Sequence, residues 1–302
     1  MKAYERLLNY VKIDTPSDPD SGTVPSSKCQ FDLAKKLVME LKTLGVENVE
    51  VDEKCYVYAS ISASEGYENV KSLGFIAHMD TVADFVEDEI VPVLHENYDG
   101  ESFELGNSGR ILSTEVFPHL KDLKGRTLIT TNGNTILGAD DKAGIAEILT
   151  VMETLIKENI PHGPLCVAFT PDEEIGTGAA HFNVERFGAD FAYTMDGEIE
   201  GEIQYESFNA AKAVFDITGF SVHPGTSKDT MINACLVAME INSMLPGFET
   251  PRGTEKYEGF YHLTNMSGDV TKAQLSYLVR DHDAKFLEGR KNVLRLIEKN
   301  MN

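Results

Sequence analysis

Tryptophan is absent from this 302-residue chain, cysteine occurs four times, and cations fall well short of anions: 27 Lys and Arg against 49 Asp and Glu, a formal net charge of -22. The shortage of cations argues against a nucleic-acid partner or an anionic membrane surface, both of which need clustered Lys and Arg. The cysteines, Cys29, Cys55, Cys166 and Cys235, contain no CxxC pair, so they read as buried thiols in a reducing compartment and not as a disulfide framework. No apolar run approaches the roughly 20 residues of a membrane span. The opening MKAYERLLNYVKIDTPSD is charged and amphipathic where a signal peptide is continuously apolar. The expected compartment is the cytoplasm.

What is present suits a globular enzyme, with enough apolar residues (42%) and enough length for two domains. Helical spacing predicts a first helix over residues 4–11 with Tyr4, Leu7, Leu8 and Val11 on one face. A second is predicted from SSKCQ, where Ser27 and Gln30 have capping-box spacing, with Ala34, Leu37, Val38, Leu41 and Leu44 inward and Gly45 as its stop. VENVEVDE, CYVYASIS, LGFIAHMD, GPLCVAFTPDEE and FAYTMDGE read as strands, and GIAEILTVMETLIKEN as an amphipathic helix. Residues 84–126 read as a turn-rich surface excursion, followed by a hairpin turning on Asn132-Gly133. Strands alternating with helices predict an α/β fold, with a mixed central sheet flanked by helices over residues 1–207. From residue 208 the order becomes βαββα, a smaller α+β, ferredoxin-like domain over 208–302 that lacks a closing strand.

Four of the apolar strands carry ligand-type residues at their C-terminal ends: FIAHMD (His78, Asp80), ILGADD (Asp140, Asp141), VAFTPDEE (Asp172, Glu173, Glu174) and AYTMDGE (Asp196, Glu198). In open α/β sheets ligands bind outside the carboxyl ends of the strands, so these groups are expected to converge. A carboxylate-rich set with one histidine suits a divalent metal. His78 and Asp80, two apart on a strand, face one side, so Asp80 can hold the far nitrogen of His78. The HxD pair alone equally describes a core histidine satisfied by an acid. Adjacent Glu173 and Glu174 point in different directions, so one can bind metal while the other acts as a base toward substrate.

HMDTV, GADDKAG, FTPDEEIG, YTMDGE and VHPGT, in this order and spacing, resemble the peptidase T family of bacterial tripeptide aminopeptidases, two-zinc metallopeptidases related to carboxypeptidase G and aminoacylase. The resemblance implies a zinc-peptidase catalytic domain over 1–207 and a lid or dimerisation-like domain over 208–302. It implies that His78, Asp140, Glu174 and Asp196 bind two zinc ions, with Asp140 bridging them across a cis peptide to Asp141. The catalytic residues it implies are Glu173, the base toward a metal-bridged hydroxide, and Asp80, which orients His78. It further implies that His223 stabilises the tetrahedral intermediate and that Arg280 holds a substrate carboxylate. From the residues alone, His223 also reads as a histidine beside a helix start, and Arg280 as an ion-pair partner of Asp281 or Asp283. The implied substrates are short peptides with a free N-terminus, preferably tripeptides, and the implied assembly is a homodimer.

The chain departs from the family pattern at its end. The family continues past the point where this sequence stops, with a glycine-rich segment and an HGxxE histidine that is the last zinc ligand. His262 and His282 match no such motif. The expectation is a shortened chain with four of five family ligands. Two alternatives stay open beside the aminopeptidase: a two-zinc carboxypeptidase or N-acyl-amino-acid amidohydrolase, and a truncated, catalytically impaired homologue.

Overall fold

A computed structural model describes residues 1–83, 89–197 and 199–302. The chain divides into two compact units, Met1–Glu202 and Ile203–Asn302. Among the described residues no helix is long and apolar enough to cross a membrane.

The first unit opens with helices α1 (Ala3–Tyr10) and α2 (Gln30–Thr43), followed by strands β1 (Asn48–Val51), β2 (Val57–Ile61) and β3 (Leu73–His78). An excursion follows, containing β4 (Val93–His95), β5 (Phe103–Glu104), β6 (Ile111–Leu112) and β7 (Leu128–Thr130). Helix α3 (Ala139–Lys157) then leads to β8 (Leu165–Thr170), the single turn α4 (Val184–Phe187) and β9 (Phe191–Thr194). The five main strands lie in the order β1-β2-β8-β3-β9. The first two pairings are antiparallel, while β3 runs parallel to both β8 and β9. His78 is in register with Thr170, and Ile76 with Thr194, so three chains leave the sheet side by side at one edge. That shared edge positions the site.

All six residues of β8 are buried, as expected of a strand covered on both faces. On one face Leu33, Leu37 and Leu41 of α2 and Ile145, Leu149 and Met152 of α3 pack against Val57, Ala77, Val167 and Phe169. The other face carries a smaller cluster around Tyr56, Tyr58, Ala168 and Phe187.

Three local expectations are corrected. Helix α1 buries Arg6 and Tyr10, while Tyr4 is exposed. The Arg6 guanidinium is held by Glu40 at 2.7 Å, Thr150 at 2.9 Å and Glu153 at 2.6 Å, which makes its burial tolerable. Helix α2 begins after Cys29 with no side-chain cap, because Gln30 bonds elsewhere. Residues 128–130 pair with β4 and not across Asn132-Gly133 in a hairpin.

The second unit is βαββα in order: β10 (Asn209–Thr218), α5 (Ala234–Ser243), β11 (Phe260–Gly268), β12 (Lys272–Asp281) and α6 (Ala284–Met301). Its sheet is antiparallel, β10-β12-β11. Ala238 and Ile241 of α5 and Leu294 and Ile297 of α6 bury against Leu275, Tyr277 and Val279 of β12. Asn233 and Asp283 cap the two helices with side-chain oxygens.

Leu41, fully buried at the far end of α2, tests the first core. Leu41→Ala is expected to destabilise the chain by about 2–5 kcal/mol, through lost apolar transfer and the cavity it leaves. Urea denaturation followed by circular dichroism reads that loss directly.

Candidate metal centre

The parallel strands and the start of α3 deliver the predicted groups to one place; ILGADD, expected to end a strand, leads instead into α3. His78 ends β3; Asp140 and Asp141 open α3; Glu173 and Glu174 follow β8; Asp196 follows β9. His78 Nε2 lies 3.1 Å from Asp140 Oδ1, 3.8 Å from Asp196 and 3.9 Å from Glu173. Two triads each bring one ligand atom per residue within 4.8 Å of one another: His78, Asp140 and Glu174, and His78, Asp141 and Asp196. One imidazole with carboxylate oxygens is a donor set that a divalent cation such as zinc accepts. Asp141 fits less well as a donor than its neighbour. Its oxygens already accept the amides of His78 at 3.1 Å and Gly144 at 3.2 Å, and the residue is buried. Asp140, joined to it by a cis peptide, is exposed and faces His78.

Asp80 lies behind His78, with no exposure of its own. His78 Nδ1 is 3.0 Å from the Asp80 carbonyl and 3.4 Å from its carboxylate. Asp80 Oδ1 and Oδ2 also accept the backbone amides of Glu173 at 2.9 Å and Glu174 at 3.1 Å. One buried carboxylate therefore positions the imidazole and the glutamate loop together.

The electrostatics show what the cluster lacks. Burial, reinforced by the charge of Asp196 and offset in part by His78, pushes the Asp141 carboxyl up to about 8. Glu173, Glu174 and Asp196 are raised for the same first reason, burial, and by the charges of neighbouring acids. Asp140 adds to the rise of Asp196 by charge and by a side-chain hydrogen bond. Burial works against a charged His78, yet hydrogen bonding and charge from Asp80, with Asp141 and Asp196 behind it, raise the ring to about 10. Each carboxyl shift records burial first and the crowding of other acids second.

Residues 130–273 match the description "Peptidase family M20/M25/M40". Over all 302 residues the chain is 51% identical to a peptidase T of Clostridium perfringens, covering 74% of that protein. The chain belongs to the peptidase T family. A peptidase T of Geobacillus thermodenitrificans is 52% identical over 289 residues, which is 95% of this chain and 70% of that one. The crystal structure of aminopeptidase PepT from Bacillus cereus superposes with a TM-score of 0.68 at 22% identity, covering 98% of this chain and 70% of that one, and so shares the fold. A dinuclear metal-binding M20 peptidase of Bacillus subtilis superposes at 0.54 with 14% identity, over 99% of this chain and 70% of its own.

Not every expected residue belongs to this cluster. Glu198 lies outside the described residues. Asp172 belongs to neither triad; it is buried and bonded to Ser26 and Gln30. His223 is exposed in the second unit, where its Nδ1 accepts the Gly225 amide at 3.1 Å ahead of the turn Pro224–Thr226. Arg280 lies on β12 with its guanidinium 4.2 Å from the Phe208 ring and its Nε buried without a hydrogen-bond partner among the described residues. Asp281 pairs with Arg290 and Asp283 caps α6, so the ion pair that the sequence offered for Arg280 is not formed with either acid. Sequence reasoning missed Lys142, a fully buried lysine whose Nζ donates to Ile13 O at 2.7 Å. Burial lowers it to about 8 against the pull of Asp14, Cys29 and Asp80. Its place beside the acid pair in GADDKAG was the available signal.

These shifts carry a sign for this peptidase T family member. Asp141 is raised in the folded chain, so it adds stability that is present below the ordinary carboxylate range and lost as pH rises through about 8. His78, raised to about 10, acts the same way from about pH 6.5 upward, while Lys142 opposes both above about pH 8. The metal-free chain is expected to lose stability between about pH 5 and 8, by at most about 1.4 kcal/mol per pH unit for each such group. Saturating zinc is expected to reverse that slope, because ligands shed protons on binding. Thermal melts in chelator and in zinc read both slopes; a chelated midpoint that rises with pH over this window contradicts the electrostatic account.

Proposed function

We propose that the chain is a metallo-aminopeptidase that removes the N-terminal residue from short peptides, preferably tripeptides, using two zinc ions. The observation that carries the reading is the gathering of Asp140, Glu174 and Asp196 around His78, with Glu173 beside them, in a chain of the peptidase T family. His78, Asp140, Glu174 and Asp196 would hold the ions. Such ions neutralise the carboxylates, acidify water and polarise a carbonyl oxygen.

The chain's own residues do the rest. Glu173, whose carboxylate lies 3.9 Å from His78 Nε2, is the base. It takes a proton from the attacking water as the new C–O bond forms. As the C–N bond breaks, it gives that proton to the departing amine. Asp80 holds the His78 ring and the amides of Glu173 and Glu174 in place. In the second unit, His223 is assigned to the tetrahedral intermediate. Arg280 is assigned to the substrate carboxylate, a task that suits a planar guanidinium with no acidic partner in Asp281 or Asp283. Residues 1–207 thus form the catalytic domain and 208–302 the lid. The reading places the protein in the cytoplasm, consistent with four free cysteines, and pairs it as a homodimer.

Glu173→Ala is expected to retain zinc and lose about 10²–10⁴-fold in kcat on a tripeptide. Hydrolysis at the parent rate contradicts its role as base. A free tripeptide is expected to be cleaved and its N-acetylated form spared; the opposite preference assigns the chain to the carboxypeptidase or amidohydrolase branch. Arg280→Ala is expected to raise KM for tripeptide acids while leaving KM for C-terminal amides unchanged.

A further inference from the structure

Glu173 and Glu174 sit on a loop, and a loop must be tied before it can aim two side chains. Asp80 ties it from one side through the two glutamate amides. It is tied again by Asp172, which like Glu173 belongs to neither ligand triad but, unlike Glu173, has no contact with His78 among the described residues. Its side chain, in a residue only 1% exposed, accepts the Ser26 amide at 2.8 and 3.0 Å, the Ser26 hydroxyl at 2.5 Å and Gln30 Nε2 at 2.8 Å. Its carbonyl accepts the Thr177 amide at 3.1 Å, which closes the loop on itself. The residue has φ of +56°, a left-handed conformation in which Asp and Asn are enriched.

The orientation of Gln30 shows how firmly this is built. A carboxylate only accepts, so the amide nitrogen must face Asp172, and Gln30 Oε1 is left buried without a partner among the described residues. An orphaned buried acceptor is a cost that this arrangement bears. The same N-terminal segment reaches the other strand end. Thr15 Oγ1 donates to Met79 O at 2.8 Å, and Ser17 N donates to Thr81 O at 3.0 Å. Residues 15–30 therefore brace both the histidine strand and the glutamate loop.

We infer that Asp172 is a positioning residue: anchored by Ser26 and Gln30, it fixes the aim of Glu173 and Glu174 at the metal site without binding metal itself. The inference rests on the metal site proposed above. Asp172→Asn keeps a residue that tolerates the left-handed backbone but sets an amide nitrogen against the Ser26 N–H. Gln30→Met removes one donor at nearly constant volume and leaves the loop sequence intact. Leu41→Ala, a core residue at the far end of α2, is the control for lost stability.

Three readouts separate positioning from bulk stability: Co²⁺ affinity by visible absorption, amide exchange over residues 171–178, and kcat against KM on a tripeptide. Asp172→Asn is expected to weaken Co²⁺ binding by about 10–100-fold, as loss of an outer-shell partner does. It should also lower kcat more than it raises KM, and speed exchange at Glu173, Glu174 and Thr177. Gln30→Met should show the same pattern at smaller amplitude, and it decides the matter if Asp172→Asn does not fold. Variants that bind Co²⁺ like the parent, or that weaken only as far as Leu41→Ala, overturn the inference. A folded parent that takes up no Co²⁺ overturns the metal site itself, and with it this role for Asp172.

Discussion

Like charges held close together inside a protein must be compensated or discharged. Two carboxylates about 4 Å apart cost on the order of 4 kcal/mol at an effective dielectric near 20, and several acids crowd around His78. The positive groups within the protein do not meet that demand. His78 is drawn toward its charged form, and Asp141 toward its neutral one. Lys142 is buried nearby but directs its hydrogen bond to the backbone carbonyl of Ile13. A divalent cation satisfies the cluster in one step, and the remaining features of the first unit follow from the need to hold that cluster together.

The sheet supplies the convergence. With β3 parallel to β8 and β9, residues far apart in sequence leave the sheet at one edge, and α3 brings the Asp140–Asp141 pair to the same edge. Convergence alone would leave the side chains loose. Buried polar contacts fix them: Asp80 behind the histidine and the glutamate amides, Asp172 against Ser26 and Gln30, and Thr15 and Ser17 against the chain after His78. These bonds are worth more in a dry interior, and losing one partner leaves the other unsatisfied. Elements that touch no candidate ligand thereby bear on the geometry of the site.

Much of this was legible in the sequence. Apolar strands ending in His, Asp and Glu were visible as such, and their α/β context predicted that they would meet. The βαββα order of the second unit was equally plain in its alternation of strand and helix periods. What could not be read were contacts whose partners lie far away in the chain. Gln30 looked like half of a capping box because its true partner, Asp172, is 142 residues distant. Arg6 broke the apolar face expected for α1 because Glu40 and Glu153 receive it from two other helices. The Asn132-Gly133 turn signal was real as local chemistry, but β7 found β4 as its partner instead. Asp172 was grouped with the ligands by adjacency, and its burial and its bonds to Ser26 and Gln30 separate it from Glu173 and Glu174.

The most direct test of the account is the number of metal ions this chain holds. The 302-residue protein would be purified, loaded with excess zinc, desalted, and its zinc counted by elemental analysis on a monodisperse, folded sample. The account predicts two retained ions per chain. A chain that remains folded by circular dichroism and retains none contradicts it, since the crowded acids would then be stable without the charge they are argued to require.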